Sequence, residues 1–218
     1  MASLTSPGDE NYNKRFYFFG TYSKDVIRKL KIDEHGVYTI TKDIDALEMT
    51  KRGFEMLRYL SRNTKGVKTF TAVDMSAGVG GNTFNLPRFF NRVYSVEMSK
   101  KRIAYLKYNC KLLIPKQLHK IKFVNDNSDM VVKKLESQIK KNRFVMYIID
   151  PSWDSNDDPV VSGTKSMVHP NYTRNSRIDL QFCGMSAWKY AKQLLNNYTK
   201  VVVLKLPPLF ELSNYVKY

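Results

Sequence analysis

Phe144–Ile149 (FVMYII) is an unbroken run of six apolar residues that ends at Asp150-Pro151. A strand with one wet face alternates apolar and polar residues, so a run without alternation has to be covered on both sides. Lys200–Leu206 (KVVVLKL) is built the same way and is stopped by Pro207-Pro208. Between Lys68 and these runs, strand and helix patterns alternate. Thr69–Asp74 (TFTAVD), Arg92–Glu97 (RVYSVE) and Ile121–Val124 read as strands. Ser99–Leu113 has helical spacing through Ile103, Leu106, Cys110 and Leu113, and Met130–Lys140 and Ser186–Asn196 read as further helices. Alternation of this kind predicts an α/β fold, a doubly wound and mostly parallel sheet with helices on both faces. A polar loop from Asp154 to Arg177 separates the FVMYII strand from the next helix.

Residues 1–64 read as a small N-terminal extension contributing to substrate binding, and residues 65–218 as the core. The extension begins with ten small or polar residues and an aromatic-rich stretch, Tyr12–Tyr22, which contains Lys14 and Arg15. In Asp33–Thr41 a turn leads into β-branched and aromatic residues, which favour extended chain. Asp43–Ser61 has helical spacing, slightly weakened by Gly53.

Composition narrows the function. Of the 218 residues, 43% are hydrophobic, enough for a sizeable core. Thirty-six Lys and Arg against 20 Asp and Glu give a net charge of +16, which favours a polyanionic partner through counterion release. No apolar run approaches the roughly 18–20 residues of a membrane span, and Met1–Glu10 has no apolar signal region. The expectation is a monomer that is not secreted, uses no membrane and works in the nucleus or the cytoplasm. Two cysteines and three scattered histidines make no metal site.

The chemistry gathers at the strand ends. Asp74-Met75-Ser76-Ala77-Gly78-Val79-Gly80-Gly81-Asn82 is a glycine turn directly after a strand. In an open parallel sheet, ligands sit beyond the carboxyl ends of the strands, and glycines there let a nucleoside approach the backbone. Asp74 is placed to accept from a ligand amino group. Glu97 ends the next strand, 19 residues past Gly78, where an acid can hold the two hydroxyls of a ribose. Asp126, after the third strand, can accept from an adenine amino group or cap the following helix. The turn is not G-x-G-x-x-G, so an adenosine ligand without a pyrophosphate fits better than a dinucleotide. After the FVMYII strand comes Asp150-Pro151-Ser152-Trp153. The proline takes the chain out of the sheet, leaving Asp150 to orient an exocyclic amine and Trp153 to stack on a planar base. A cationic base such as 7-methylguanine would be held more tightly by the indole face.

With these blocks in order, the chain resembles the trimethylguanosine synthases, class I methyltransferases of Rossmann-like fold that methylate N2 of a 7-methylguanosine RNA cap. Asp33–Thr41 resembles the family's acidic-glycine-aromatic-S-V-T block. Val73–Asn82 resembles V-D-x-F-C-G-x-G-G-N. Val93–Cys110 resembles its R-V-x-x-I-D … N-N stretch, and Asp150–Trp153 its S-P-P-W block. The resemblance implies that S-adenosyl-L-methionine is the cofactor and lies against Asp74, Gly78 and Glu97; Ser76, Gly80, Asn82, Asp126 and Asp150 complete the expected cofactor set. It implies that Trp153, Thr39 and Asn109 lie by the cap base or cofactor, that Lys14 or Arg15 meets the cap phosphates, and that Asp150 and Trp153 are catalytic. The partner would be capped RNA or a 7-methylguanosine nucleotide. Ser76 and Ala77 replace the family's phenylalanine and cysteine, Val37 its tryptophan, and Asp154-Ser155 two glycines, which marks a divergent member. Two other readings fit the same residues. One is an amino-group methyltransferase acting on adenine N6 or internal guanine N2 of RNA or DNA. The other is a cap- or RNA-binding subunit without turnover.

Overall fold

The computed structural model describes residues 10–66, 69–141, 144–151 and 180–206. Helices α1 (Glu10–Phe18), α2 (Lys24–Lys29), α3 (Glu34–Thr39) and α4 (Asp43–Ser61) precede the first strand, β1 (Thr71–Asp74). Then follow β2 (Arg92–Val96), α5 (Lys100–Leu113), β3 (Ile121–Val124), α6 (Ser128–Lys141) and β4 (Val145–Ile149). A short antiparallel ribbon, β5 (Gln181–Phe182) and β6 (Met185–Ser186), leads into α7 (Ala187–Asn197) and β7 (Val201–Leu204). The loop 154–177, Ser152, Trp153 and Pro207-Pro208 lie outside the described residues.

The main sheet has the order β3-β2-β1-β4-β7, and every described pairing in it is parallel. The chain runs outward from β1 through β2 to β3, then returns to lay β4 on the other side of β1. The order therefore reverses between β1 and β4, where such sheets open a crevice at their carboxyl edge. This is the expected doubly wound architecture.

β4 shows why its sequence has no alternation. Val145, Tyr147 and Ile149 pack with residues of α6 and α7, while Met146 and Ile148 pack on the opposite face with Leu57 of α4. All five are 1% exposed or less. Burying each such side chain contributes about 1.5–3 kcal/mol.

α4 occupies the predicted span, and Gly53 has a packing reason to be there. A Cβ at this position would stand 2.3 Å from the Met146 sulfur and 3.1 Å from Val203, so the glycine lets the helix lie close on β4 and β7. The N-terminal segment and the sheet thus share one interior. Phe18, Phe19, Ile27, Leu30 and Ile40 extend it by packing with Val79, Phe84 and the inner face of α5.

One local expectation is corrected. The extended segment expected within Asp33–Thr41 is the helix α3. Asp33 caps it by accepting from the Gly36 N–H at 3.0 Å, and this outweighs the strand preference of Val37, Tyr38 and Thr39. Burial would raise the Asp33 carboxyl, but the hydrogen bond and charge of Arg102 and the Gly36 N–H hold it below its ordinary range.

Candidate active site

A cavity of about 200 Å³ opens beyond the carboxyl ends of β1, β2 and β4, at the point where the strand order reverses. The turn after β1 supplies its floor. Gly78 is left-handed, with φ of 52°, and has no heavy atom within 4 Å of where a Cβ would be. Its side of the turn is open to a ligand. Gly80, with φ of 121°, differs: a Cβ there would meet the Phe84 ring at 2.2 Å and Leu106 at 2.9 Å. Gly80 serves close packing of the turn on α5 rather than contact with the cavity.

Glu97, after β2, is clamped from behind. Its Oε2 accepts from the Gly78 N–H at 3.0 Å and its Oε1 from the Ser99 N–H at 2.7 Å. A carboxylate has about four acceptor positions, so roughly two remain, the number that a pair of ribose hydroxyls requires.

Asp150, after β4, is held most firmly. Its Oδ2 accepts from Thr41 Oγ1 at 2.9 Å, Asn82 Nδ2 at 3.0 Å and Lys205 Nζ at 3.0 Å. Its own N–H donates to Ser76 Oγ at 3.2 Å. Among the described residues nothing donates to Oδ1. The carboxylate is therefore locked by one oxygen and has the other to offer.

Of the residues expected to meet cofactor or substrate, Thr39, Ser76, Gly78, Asn82, Glu97 and Asp150 line this one cavity. Others are placed differently. Asp74 is fully buried at the end of β1, where its carboxylate accepts from Thr83 Oγ1 at 2.6 Å and does not reach the cavity. Burial raises its pKa to about 7; the Thr83 hydrogen bond opposes the shift, and the charges of Asp150 and Glu97 add to it. Asn109 is equally buried, donating to the carbonyls of Lys31 and Val79 and accepting from the Lys31 N–H, all at 2.9–3.0 Å. It staples α5 to the glycine turn and to the N-terminal layer. Arg15 donates to the Leu30 carbonyl at 2.8 Å from a buried position, and neither it nor the half-buried Lys14 lines the cavity. Asp126 pairs with Lys134 at 2.5 Å and is not among the residues lining the cavity. Trp153 lies outside the described residues.

Two cations were missed in the sequence. Arg102 of α5 lines the cavity and pairs with Asp33 at 3.0 Å; Lys205 stands behind Asp150. Lys205 had a signal, a lone cation at the carboxyl end of an otherwise apolar strand. Arg102 had none that set it apart from its neighbours Lys100 and Lys101.

The sequence profile of the RNA cap guanine-N2 methyltransferase family matches residues 69–157, from β1 to just past β4. An uncharacterized protein of Acanthamoeba polyphaga mimivirus is 26% identical over 205 residues, covering 87% of this chain and 69% of that protein. Among solved structures, a human methyltransferase 10 domain containing protein aligns over 67% of this chain and 65% of its own, with 16% identity and a TM-score of 0.42. A SAM-dependent methyltransferase from Agrobacterium tumefaciens aligns over 46% of this chain with 15% identity and a TM-score of 0.34, and this chain spans 31% of its length. In its sheet core, from the glycine turn to the Asp150 strand end, this chain is similar to the RNA cap guanine-N2 methyltransferases.

Proposed function

We propose that this protein methylates the exocyclic N2 of a 7-methylguanosine RNA cap with S-adenosylmethionine as donor. The observation that carries the reading is the Asp150 carboxylate, fixed through Oδ2, sharing one cavity with the open Gly78 and the half-satisfied Glu97. The residues present fit the donor: Glu97 retains acceptors for its ribose, and Gly78 leaves room for its nucleoside. When bound, S-adenosylmethionine supplies a methyl on a cationic sulfur, which keeps the electron pair of the breaking C–S bond as the N–C bond forms. Asp150 Oδ1 accepts an N–H of the acceptor amine, aims the nitrogen lone pair at the methyl, and takes the proton that nitrogen then loses. Pro151, which has no N–H for the ladder, follows Asp150 at the cavity, and Trp153 stacks on the base. The segment before residue 64 contributes Thr39, at the end of α3, and Thr41, between α3 and α4, to the acceptor side.

Capped RNA as the substrate is supported by charge distribution. The fourteen residues of α5 include Lys100, Lys101, Arg102, Lys107 and Lys111 and no acid, and the helix begins at the cavity rim. α4 mixes both signs and pairs them, as in Glu48–Arg52 at 2.7 Å, which is how a merely solvated helix is built. We assign the RNA backbone to the α5 face.

The test compares methyl incorporation into capped and uncapped RNA of one sequence. Labelling that requires the cap, and is lost in Trp153→Ala, supports the reading. Equal labelling would favour methylation of adenine N6 or internal guanine N2, since Asp150 would serve any exocyclic amine.

A further inference from the structure

We propose that Lys205 is a positioning residue for this transfer, fixing the rotation of the Asp150 carboxylate and offsetting its charge so that Oδ1 faces the acceptor amine. The inference rests on the methyl-transfer reading and adds to it a residue outside the cavity lining.

Placement comes from the sheet itself. β7 pairs with β4 so that Leu204 lies opposite Ile149, and the Lys205 N–H donates to the Ile149 carbonyl at 2.9 Å. The backbone ladder thereby brings Lys205 beside Asp150. Its ammonium then bridges Asp150 Oδ2 at 3.0 Å and Thr41 Oγ1 at 2.9 Å. Thr41, Asn82 and Lys205 come from three separate stretches of chain and converge on one oxygen, so turning the carboxylate breaks three hydrogen bonds at once.

Lys205 alone among these three donors carries charge. Two further carboxyl groups bear on the same region: Asp74 at the end of β1, whose proton affinity is raised by Asp150, and Glu97 at the cavity wall. Asp150 is 10% exposed and Lys205 22%, so solvent screens the pair only in part. Without the ammonium, Oδ2 keeps only the uncharged donors Thr41 and Asn82, and the cation of the cavity lining, Arg102, is paired with Asp33. The carboxylate is then less firmly held against rotation, and an Oδ1 turned from the amine can neither receive its N–H nor take the proton released on methylation.

A structural role and a positioning role make different forecasts. For Lys205→Met we expect kcat to fall about 10- to 100-fold while KM for S-adenosylmethionine stays within about twofold. Lys205→Arg keeps the cation and should recover most of the rate. An unchanged kcat in Lys205→Met overturns the proposal, as does an equal loss in the Met and Arg variants or a loss that falls on KM instead of kcat. Should Lys205→Met not fold, Lys205→Gln gives the same readouts, since its amide can still donate but bears no charge. If the unaltered protein methylates no amine in capped RNA, uncapped RNA or DNA, the methyl-transfer reading falls along with Lys205. If it does and Lys205→Met is normal, only Lys205 falls.

Discussion

β1 and β4 are neighbours, and each hands the chain over at an aspartate, yet the two acids have opposite fates. After Asp74 the chain curls back over the strand end and brings Thr83 onto the carboxylate, so the acid is sealed inside. After Asp150 comes Pro151, which has no N–H for the ladder, and both residues line the cavity. An acid at a strand end is therefore not a site by itself. At Asp74 the path of the next nine residues decides that it meets a threonine and not a ligand.

The largest effect expected from this contrast is on rate. Asp150→Ala should lower kcat for methyl transfer by about 10²–10⁴-fold, the usual contribution of a positioned base, with donor binding within a few-fold. Asp74→Asn keeps the shape and should leave kcat within about threefold. Steady-state kinetics with calorimetric titration of the donor read both. A larger rate loss at Asp74 than at Asp150 would reverse the assignment and return Asp74 to the cofactor. Failure of the unaltered protein to bind the donor at millimolar concentration would favour a binding subunit without turnover.

A second contrast separates stability from binding at Asn109, which is as enclosed as Asp74. Asn109→Ala removes three hydrogen bonds and leaves the Lys31 N–H and the Val79 carbonyl without a partner, so we expect a loss of about 2–4 kcal/mol in denaturant unfolding. KM values should hold. Unaltered stability with weakened acceptor binding would restore the substrate contact that the family resemblance implies.

What could be read in the sequence follows the same division. β4 was legible because burial on both faces leaves no alternation, and Glu97 because one βα unit sets the distance from a glycine turn to the next strand end. Asp74 was legible as a strand-end acid but not as a sealed one, because its cover, Thr83, lies nine residues on and reaches it only when the turn folds back. Lys205 and Asp150 are 55 residues apart and meet through strand pairing, which no local pattern encodes. α3 was hidden by strand-forming side chains, and its one clue was an aspartate three residues before a glycine.

The smallest effect probes the sealed acid directly. Thr83→Val preserves shape but removes the hydroxyl that donates to Asp74 Oδ2. Because the folded Asp74 pKa is raised to about 7, above its ordinary 3.8, the folded state binds more protons than the unfolded state between those values. Stability from this group is therefore highest below about pH 4 and declines as pH rises toward 7. The threonine hydrogen bond favours the charged form, so its loss makes the decline deeper and carries it to higher pH. We expect Thr83→Val to cost about 1–3 kcal/mol at pH 8 and less at pH 5, read from denaturant midpoints at the two pH values. Equal losses would mean that Thr83 supports the turn through Ser95, to which its hydroxyl also reaches at 3.0 Å, and not through the acid. In that case the seal on Asp74 is burial alone, and its difference from Asp150 reduces to the absence of water.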